Sequence, residues 1–178
     1  MKFIITLLMA IYGFAQSYSY VEQLDLEKYQ GAWYEVYDDN FDETFQKGGS
    51  CLRADYKINN EGTIDVLNRE VNKMNEIESI TGKAYYDEGN SGGELTVALK
   101  GTPSPAPYWV IELGPVVDDL YDYAIVSDNN RISLFVLARD VNNFLKLYDQ
   151  EVLDSINDMG FTKFYNKPKL VNQTDCPY

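Results

Sequence analysis

Residues 52–69, LRADYKI-NNEG-TIDVLNR, decide the fold. Leu52–Ile58 is a short run of strand-forming length, Asn59-Asn60-Glu61-Gly62 is a turn cluster, and Thr63–Arg69 is a second run of the same kind. Strand, turn, strand is the reading. The pattern then repeats downstream. Glu78–Tyr86 stops at Asp87-Glu88-Gly89-Asn90, and Glu94–Lys100 stops at the breaker run from Gly101 to Pro107. Tyr108–Leu113 stops at Gly114-Pro115, Tyr121–Ser127 at Asp128-Asn129-Asn130, and Ile132–Ala138 closes the series. Upstream, Gly31–Tyr37 (GAWYEVY) supplies the first strand. An irregular arm with one turn around Asp25–Lys28 precedes it, and a long polar loop from Asp38 to Ser50 follows. Eight short strands with turn-rich connections predict an all-β barrel or sandwich. No long helix interrupts them, which argues against a βαβ architecture.

Alternation within the strands is imperfect. Leu95, Val97 and Leu99 share one face, but Tyr108–Ile111 and Leu134–Leu137 are apolar on both. A strand apolar on both faces is covered on both. One cover is a late helix, since Phe144, Tyr148, Val152, Ile156 and Met159 fall on one helical stripe. Asn142 or Asn143 is its expected cap and Gly160 its stop. The other cover is a lumen, packed or holding ligand. A further short strand is expected at Phe164-Tyr165.

The N-terminus reads as a signal peptide over residues 1–15. Lys2 is basic, Phe3 to Phe14 is nearly all apolar, and Gly13 and Ala15 take the small-residue positions before Gln16. That apolar run is too short for a bilayer core of ~30 Å. Residues 16–178 then form one domain. The 15 basic residues less Lys2 leave 14 against 28 acidic ones, a net charge of −14. Such a surface repels nucleic acid and anionic lipid. There is no His, which excludes imidazole zinc sites, His-based triads and histidine pH switches. Cys51 and Cys176 are an even pair in an exported chain, and one intramolecular disulfide is available to them. It would close a loop of about 125 residues, nominally worth ~4–5 kcal/mol. Asn172-Gln173-Thr174 is a sequon, making Asn172 a candidate glycan acceptor.

Taken together these residues resemble the lipocalins, closest to the apolipoprotein D and bacterial outer-membrane lipocalin branch. Gly31-Ala32-Trp33-Tyr34-Glu35 is similar to the family's Gly-x-Trp signature. Tyr108–Ile111 with Tyr121–Val126 is similar to its second conserved region, and Leu137-Ala138-Arg139 to its third. Lys47–Cys51 resembles the approach to the second strand. The resemblance runs over essentially the whole mature chain. It implies an eight-stranded antiparallel up-and-down barrel, closed at one end, with one C-terminal helix packed outside. It also implies that Trp33 packs across the closed base under the Arg139 guanidinium, and that Gly31 makes a tight start to the first strand. Relative to apolipoprotein D, one of two disulfides has a counterpart here. The lipid-attachment cysteine of the bacterial members is replaced by Gln16, so the expectation is a soluble, secreted protein without a membrane anchor.

The functional expectation is binding and transport of a small hydrophobic molecule, such as a lipid, fatty acid or retinoid, in the lumen. By strand phase, Glu35 and Tyr37 share a face with Trp33 and are lumen candidates. Core packing for Tyr37 and a basal hydrogen bond for Glu35 read equally well. Tyr56, Asn68, Tyr86, Val97, Trp109 and Tyr123 are further lumen candidates. Phe41 and Phe45 in the loop 38–49 are either a lid over the mouth or a patch for a protein partner. A lipocalin-type isomerase or synthase would have to use Glu35, Asp55 or a tyrosine. No pair of these has a spacing that compels acid–base work, so the chain is read as a non-enzyme without cofactor. The clusters Asp118-Asp119 with Asp122 and Asp38-Asp39 with Asp42 lack calcium-loop spacing and read as solvated turns, not as metal sites.

Overall fold

The computed structural model describes residues 18–39 and 49–178. The signal peptide read over residues 1–15, Phe41 and Phe45 lie outside them, as does Asp42. The first turn is a short helix, α1 (Leu26–Tyr29). It is capped by Asp25, whose carboxylate accepts from the Glu27 N–H at 3.0 Å. The strands β1 (Gly31–Asp38), β2 (Ser50–Ile58), β3 (Ile64–Val71), β4 (Ile77–Tyr85), β5 (Glu94–Leu99) and β6 (Ala106–Leu113) pair antiparallel in sequence order. After β6 come a small hairpin, β7 (Val116–Val117) and β8 (Leu120–Tyr121), and then β9 (Tyr123–Ser127) and β10 (Leu134–Ala138). β9 pairs with β6 and β10, and β10 closes the barrel on β1, with Tyr34 opposite Ala138. The β2–β3 turn follows from Asn59, whose side-chain oxygen accepts from the Glu61 and Thr63 N–H groups at 3.0 and 3.1 Å.

Asp118 and Asp119 are the two residues between β7 and β8, with φ of 49° and 65°. Positive φ at both positions is the hairpin turn that matches strand twist, and Asp tolerates it. This acidic pair is therefore turn chemistry.

Alternation sorts the strand residues into two cores. Trp33, Tyr56, Val66, Leu95, Val110, Val126 and others face into the barrel. Val36, Tyr37, Tyr123, Ile125, Leu134 and Val136 face out and meet the late helix. That explains strands apolar on both faces. The helical stripe lies on two segments, α2 (Val141–Leu147) and α3 (Asp149–Asp158), with Tyr148 between them at φ −123°. The hydrogen bonds from Tyr148 N–H to Phe144 and from Val152 N–H to Tyr148 persist through the join at 2.9 Å, so one apolar face is kept. The cap is Asp140, not Asn142 or Asn143: its carboxylate accepts from the Asn143 N–H at 2.9 Å, and the helix begins one turn earlier than its apolar stripe. Gly160, at φ +94°, follows the helix end.

The extra strand does not form at Phe164-Tyr165. Residues 163–166 make a turn, with Asn166 N–H bonded to Lys163, and Phe164 is 77% exposed. The strand is β11 (Lys169–Leu170), and it pairs with Asp38 and Tyr37 of β1. Its partner is distant in sequence, so nothing local marked its position.

Candidate functional site: the lumen and its closed base

Gly31 starts β1 at φ +98°, and a side chain there would press on the Arg139 guanidinium, 3.3 Å from the position of a β-carbon. Trp33 is fully buried across the base, and its indole N–H donates to the Tyr29 carbonyl at 2.7 Å. The Arg139 guanidinium lies over the indole, 3.5 Å from its centroid. Its Nη1 donates to Ala32 O (2.7 Å), and its Nη2 to Lys28 O (3.0 Å), Tyr29 O (3.2 Å) and Gln30 O (2.9 Å). Its Nε donates to Tyr121 O at 3.0 Å. One planar cation thus ties α1, β1 and β8 together and covers the Trp face. Burial brings the Arg139 pKa down to about 10.

Above this base lies a layer of tyrosine hydroxyls. Tyr29 and Tyr108 are hydrogen-bonded at 2.7 Å, and Tyr56 and Tyr108 at 3.1 Å. The Tyr29 and Tyr56 rings stack with centroids 5.8 Å apart, and the Tyr56 and Tyr108 rings meet edge to face at 6.3 Å. Burial raises all three hydroxyl pKa values, that of Tyr56 to about 12.

These three rings border a cavity of about 460 Å³. Its walls are mostly aliphatic, including Leu52, Val66, Ala84, Val97, Leu99 and Leu137. Polar groups are few. Glu35 and Asp39 are buried in the wall, and Asp39 accepts from the Leu134 N–H at 2.6 Å, so Asp38 and Asp39, both buried at the end of β1, are not the solvated turn expected of them. Asn68 turns a buried side-chain oxygen inward that has no hydrogen-bond partner among the described residues.

Of the lumen candidates, Glu35, Tyr56, Asn68 and Val97 line this cavity. Tyr37, Tyr86, Trp109 and Tyr123 do not, and each has a structural reason. A bulge between Glu35 and Tyr37 reverses the phase of β1. Tyr37 therefore faces α3 and donates to the Asp149 carboxylate at 2.6 Å. Trp109 is on the outer face of β6, stacked near Tyr18 and edge to face with Tyr20; its neighbour Tyr108 points in. Tyr123 is also outside, between Phe144 and Tyr148, and donates to Glu112. Tyr86 donates to the Gly92 carbonyl at 2.8 Å, beside the N-terminal arm rather than in the cavity. Tyr108 differs from the candidate Trp109 by one residue of phase. Tyr29 stays hidden because its helix is only a turn in the sequence, although Asp25 at the cap is a signal.

Asp55 is an outer-face residue that binds Arg53 and Arg69 at 2.7 and 2.6 Å, and Glu61 pairs with Lys83 at 2.8 Å. Neither carboxylate reaches the lumen.

Cys51 and Cys176 form the disulfide, with their Cα atoms 5.4 Å apart. The tail it holds is also hydrogen-bonded. Val171 N–H donates to Val36 O at 2.9 Å, and Cys51 N–H to Asn172 O at 2.8 Å. The Gln173 amide donates to Glu35 O and Leu52 O at 2.8 and 2.7 Å, bridging β1 and β2. Asn172 is exposed, and its side-chain oxygen accepts from the Thr174 N–H at 3.0 Å. Among the described residues, no helix is long and apolar enough to cross a membrane.

Comparison with known proteins agrees with this geometry. Residues 24–168 match the family model for a lipocalin-like domain. The chain is 32% identical over 166 residues to the outer membrane lipoprotein Blc of Vibrio cholerae, covering 93% of this chain and 91% of that one. It is 31% identical over 165 residues to apolipoprotein D of Cavia porcellus, covering 88% and 80%. Among solved structures, insecticyanin from the tobacco hornworm Manduca sexta superposes with a TM-score of 0.64 at 18% identity, over 92% of this chain and 88% of that one. A barrel sealed by Trp33 and Arg139, matched along most of its length, places this chain in the lipocalin family.

Proposed function

We propose that this lipocalin binds one small apolar molecule in its lumen and carries it outside the cell. The observation that carries the reading is the cavity of about 460 Å³ with mostly aliphatic walls and a few convergent polar groups. That size and lining suit a small-molecule site, for which volumes of about 300–1,000 Å³ are usual. Membership of a family that binds small hydrophobic ligands supports it. Export is supported by the leader-like residues 1–15 and by a disulfide, which persists in oxidising compartments. The exposed turn at Asn172 suits a glycan on an exported chain.

Trp109 lies outside the lumen, so its fluorescence is not a reporter of this site. The test instead uses N-phenylnaphthylamine, a neutral apolar dye that brightens when it leaves water. The wild-type protein should bind it at one site per chain. Val97→Trp, which fills the lumen from β5, should abolish that binding while leaving the fold intact by circular dichroism. Equal binding by the folded Val97→Trp variant would place the dye elsewhere and refute the reading.

A further inference from the structure

We propose that the Tyr29–Tyr108–Tyr56 hydroxyl chain is the polar anchor of the lumen. It selects ligands whose buried end is a neutral oxygen acceptor, the carbonyl of a ketone, aldehyde or ester. The proposal rests on the lumenal reading above and names its ligand chemistry.

Proton counting is the first argument. Each tyrosine hydroxyl carries one proton and can accept as well as donate. Two hydrogen bonds join the three hydroxyls through Tyr108. Two protons are used in those bonds, and one remains. That proton sits at Tyr29 or Tyr56 when the chain runs one way, or at Tyr108 when both neighbours donate to it, and all three side chains border the cavity. No acceptor among the described residues takes it. A buried donor gains most from an acceptor when water is excluded. The anchor is therefore a donor aimed at the ligand from the closed end.

Charge decides what kind of acceptor. The Arg139 guanidinium lies below the layer, bonded only to carbonyl oxygens, and its charge acts on Tyr29 and Tyr56. A cationic head would meet it with like sign. Arg53 and Arg69 also border the cavity, but both are bound to Asp55. A carboxylate head would then lose its hydration in a mostly aliphatic cavity with a single hydroxyl proton in return. A neutral carbonyl avoids both penalties and satisfies the proton.

The test compares Prodan, a neutral aryl ketone, with its carbonyl-free parent dimethylaminonaphthalene and with dimethylaminonaphthoate, the matching anion. Wild-type protein should bind in the order ketone, parent, anion. In the variant Tyr29→Phe/Tyr56→Phe/Tyr108→Phe the preference for ketone over parent should fall by about threefold to tenfold, the worth of one hydrogen bond. Single variants should lose less, because the two remaining tyrosines still leave at least one proton over. An unchanged preference in the triple variant, or tighter binding of the anion than of the ketone by wild type, overturns the anchor while the parent's binding leaves the lumenal reading standing. Failure of all three probes on wild type overturns both. Should the triple variant not fold, the infrared carbonyl stretch of Prodan bound to wild type decides. A frequency below that in an alkane supports the anchor, and an alkane-like frequency overturns it.

Discussion

Arg139→Ala should destabilise the barrel without closing the lumen. The substitution withdraws one donor each from Ala32 O, Lys28 O, Gln30 O and Tyr121 O, while Tyr29 O keeps the Trp33 indole N–H. It also uncovers the indole face, a cation–π contact worth ~2 kcal/mol when desolvated. Hydrogen bonds from a charged donor contribute ~1.5–3 kcal/mol each in buried settings, but Arg139 is only partly buried. Water entering its place would satisfy most of the carbonyls, leaving about 0.5 kcal/mol for each of the four. The guanidinium's own burial, which lowers its pKa to about 10, works in the opposite direction and offsets part of the gain. The net cost is about 3 kcal/mol, a large share of the ~5–15 kcal/mol that holds a domain together. Thermal unfolding should shift down by roughly 6–12 °C. Urea unfolding followed by circular dichroism measures the cost directly. Arg139→Lys should recover less than half of it, since a lysine cannot span these carbonyls with one planar fork. Binding of N-phenylnaphthylamine at low temperature should survive, because the tyrosine layer stands between Arg139 and the cavity. A loss below about 1 kcal/mol in urea would show that the Trp33–Arg139 pair does not hold the base and would refute this account.

Two further outcomes follow from the same geometry. Cys51→Ser/Cys176→Ser should cost about 2–3 kcal/mol, less than the loop entropy alone would give, because Val171 and Gln173 keep the tail docked. Amide exchange at position 51 and at Val171 should quicken without reaching the unprotected rate, and a fully free tail would contradict the hydrogen bonds. Stability should also fall as pH rises above 10: Tyr56 keeps its proton to about 12 in the folded state, whereas unfolded tyrosines ionise near 10. The unfolded chain then binds fewer protons than the native one, so the contribution present below pH 10 is lost through about 12. Ultraviolet titration of tyrosinate should show a late fraction that appears only with unfolding, and complete ionisation of the folded protein near pH 10 would refute it.

Element existence was legible in the sequence because it is written locally. Turn clusters such as Asn59–Gly62 and the helical stripe from Phe144 to Met159 need no distant partner to be read. All eight barrel strands fall where short runs between turn residues put them. Phase was not legible in the same way. Tyr108-Trp109 and Tyr123-Ala124 are apolar on both faces, so either residue could point inward. The choice is made by which face meets α2 and α3. Trp109 and Tyr123 went to the helix side, and Tyr108 to the lumen. The docking of the tail was not legible either, since β11 has no local signature and is defined by an edge of β1.

Three features of the site depend on the bulge at Val36. Before the bulge, β1 runs Trp33 and Glu35 into the barrel; after it, Tyr37 faces outward. The inward phase puts a carboxylate in the lumen wall. The outward phase gives α3 a fixed point, the Tyr37 hydroxyl on Asp149. The bend also parts β1 from β2, whose pairing covers only Gly31 to Tyr34. Beyond Tyr34 the backbone of β1 needs another partner. The last residues of the chain supply it, with β11 on Tyr37 and Asp38 and the Gln173 amide between Glu35 and Leu52. The disulfide from Cys176 to Cys51 then fastens this insert to the first residues of β2. The C-terminal tail is thus part of the wall behind Glu35, which links the stability of the tail to the shape of the proposed ligand site.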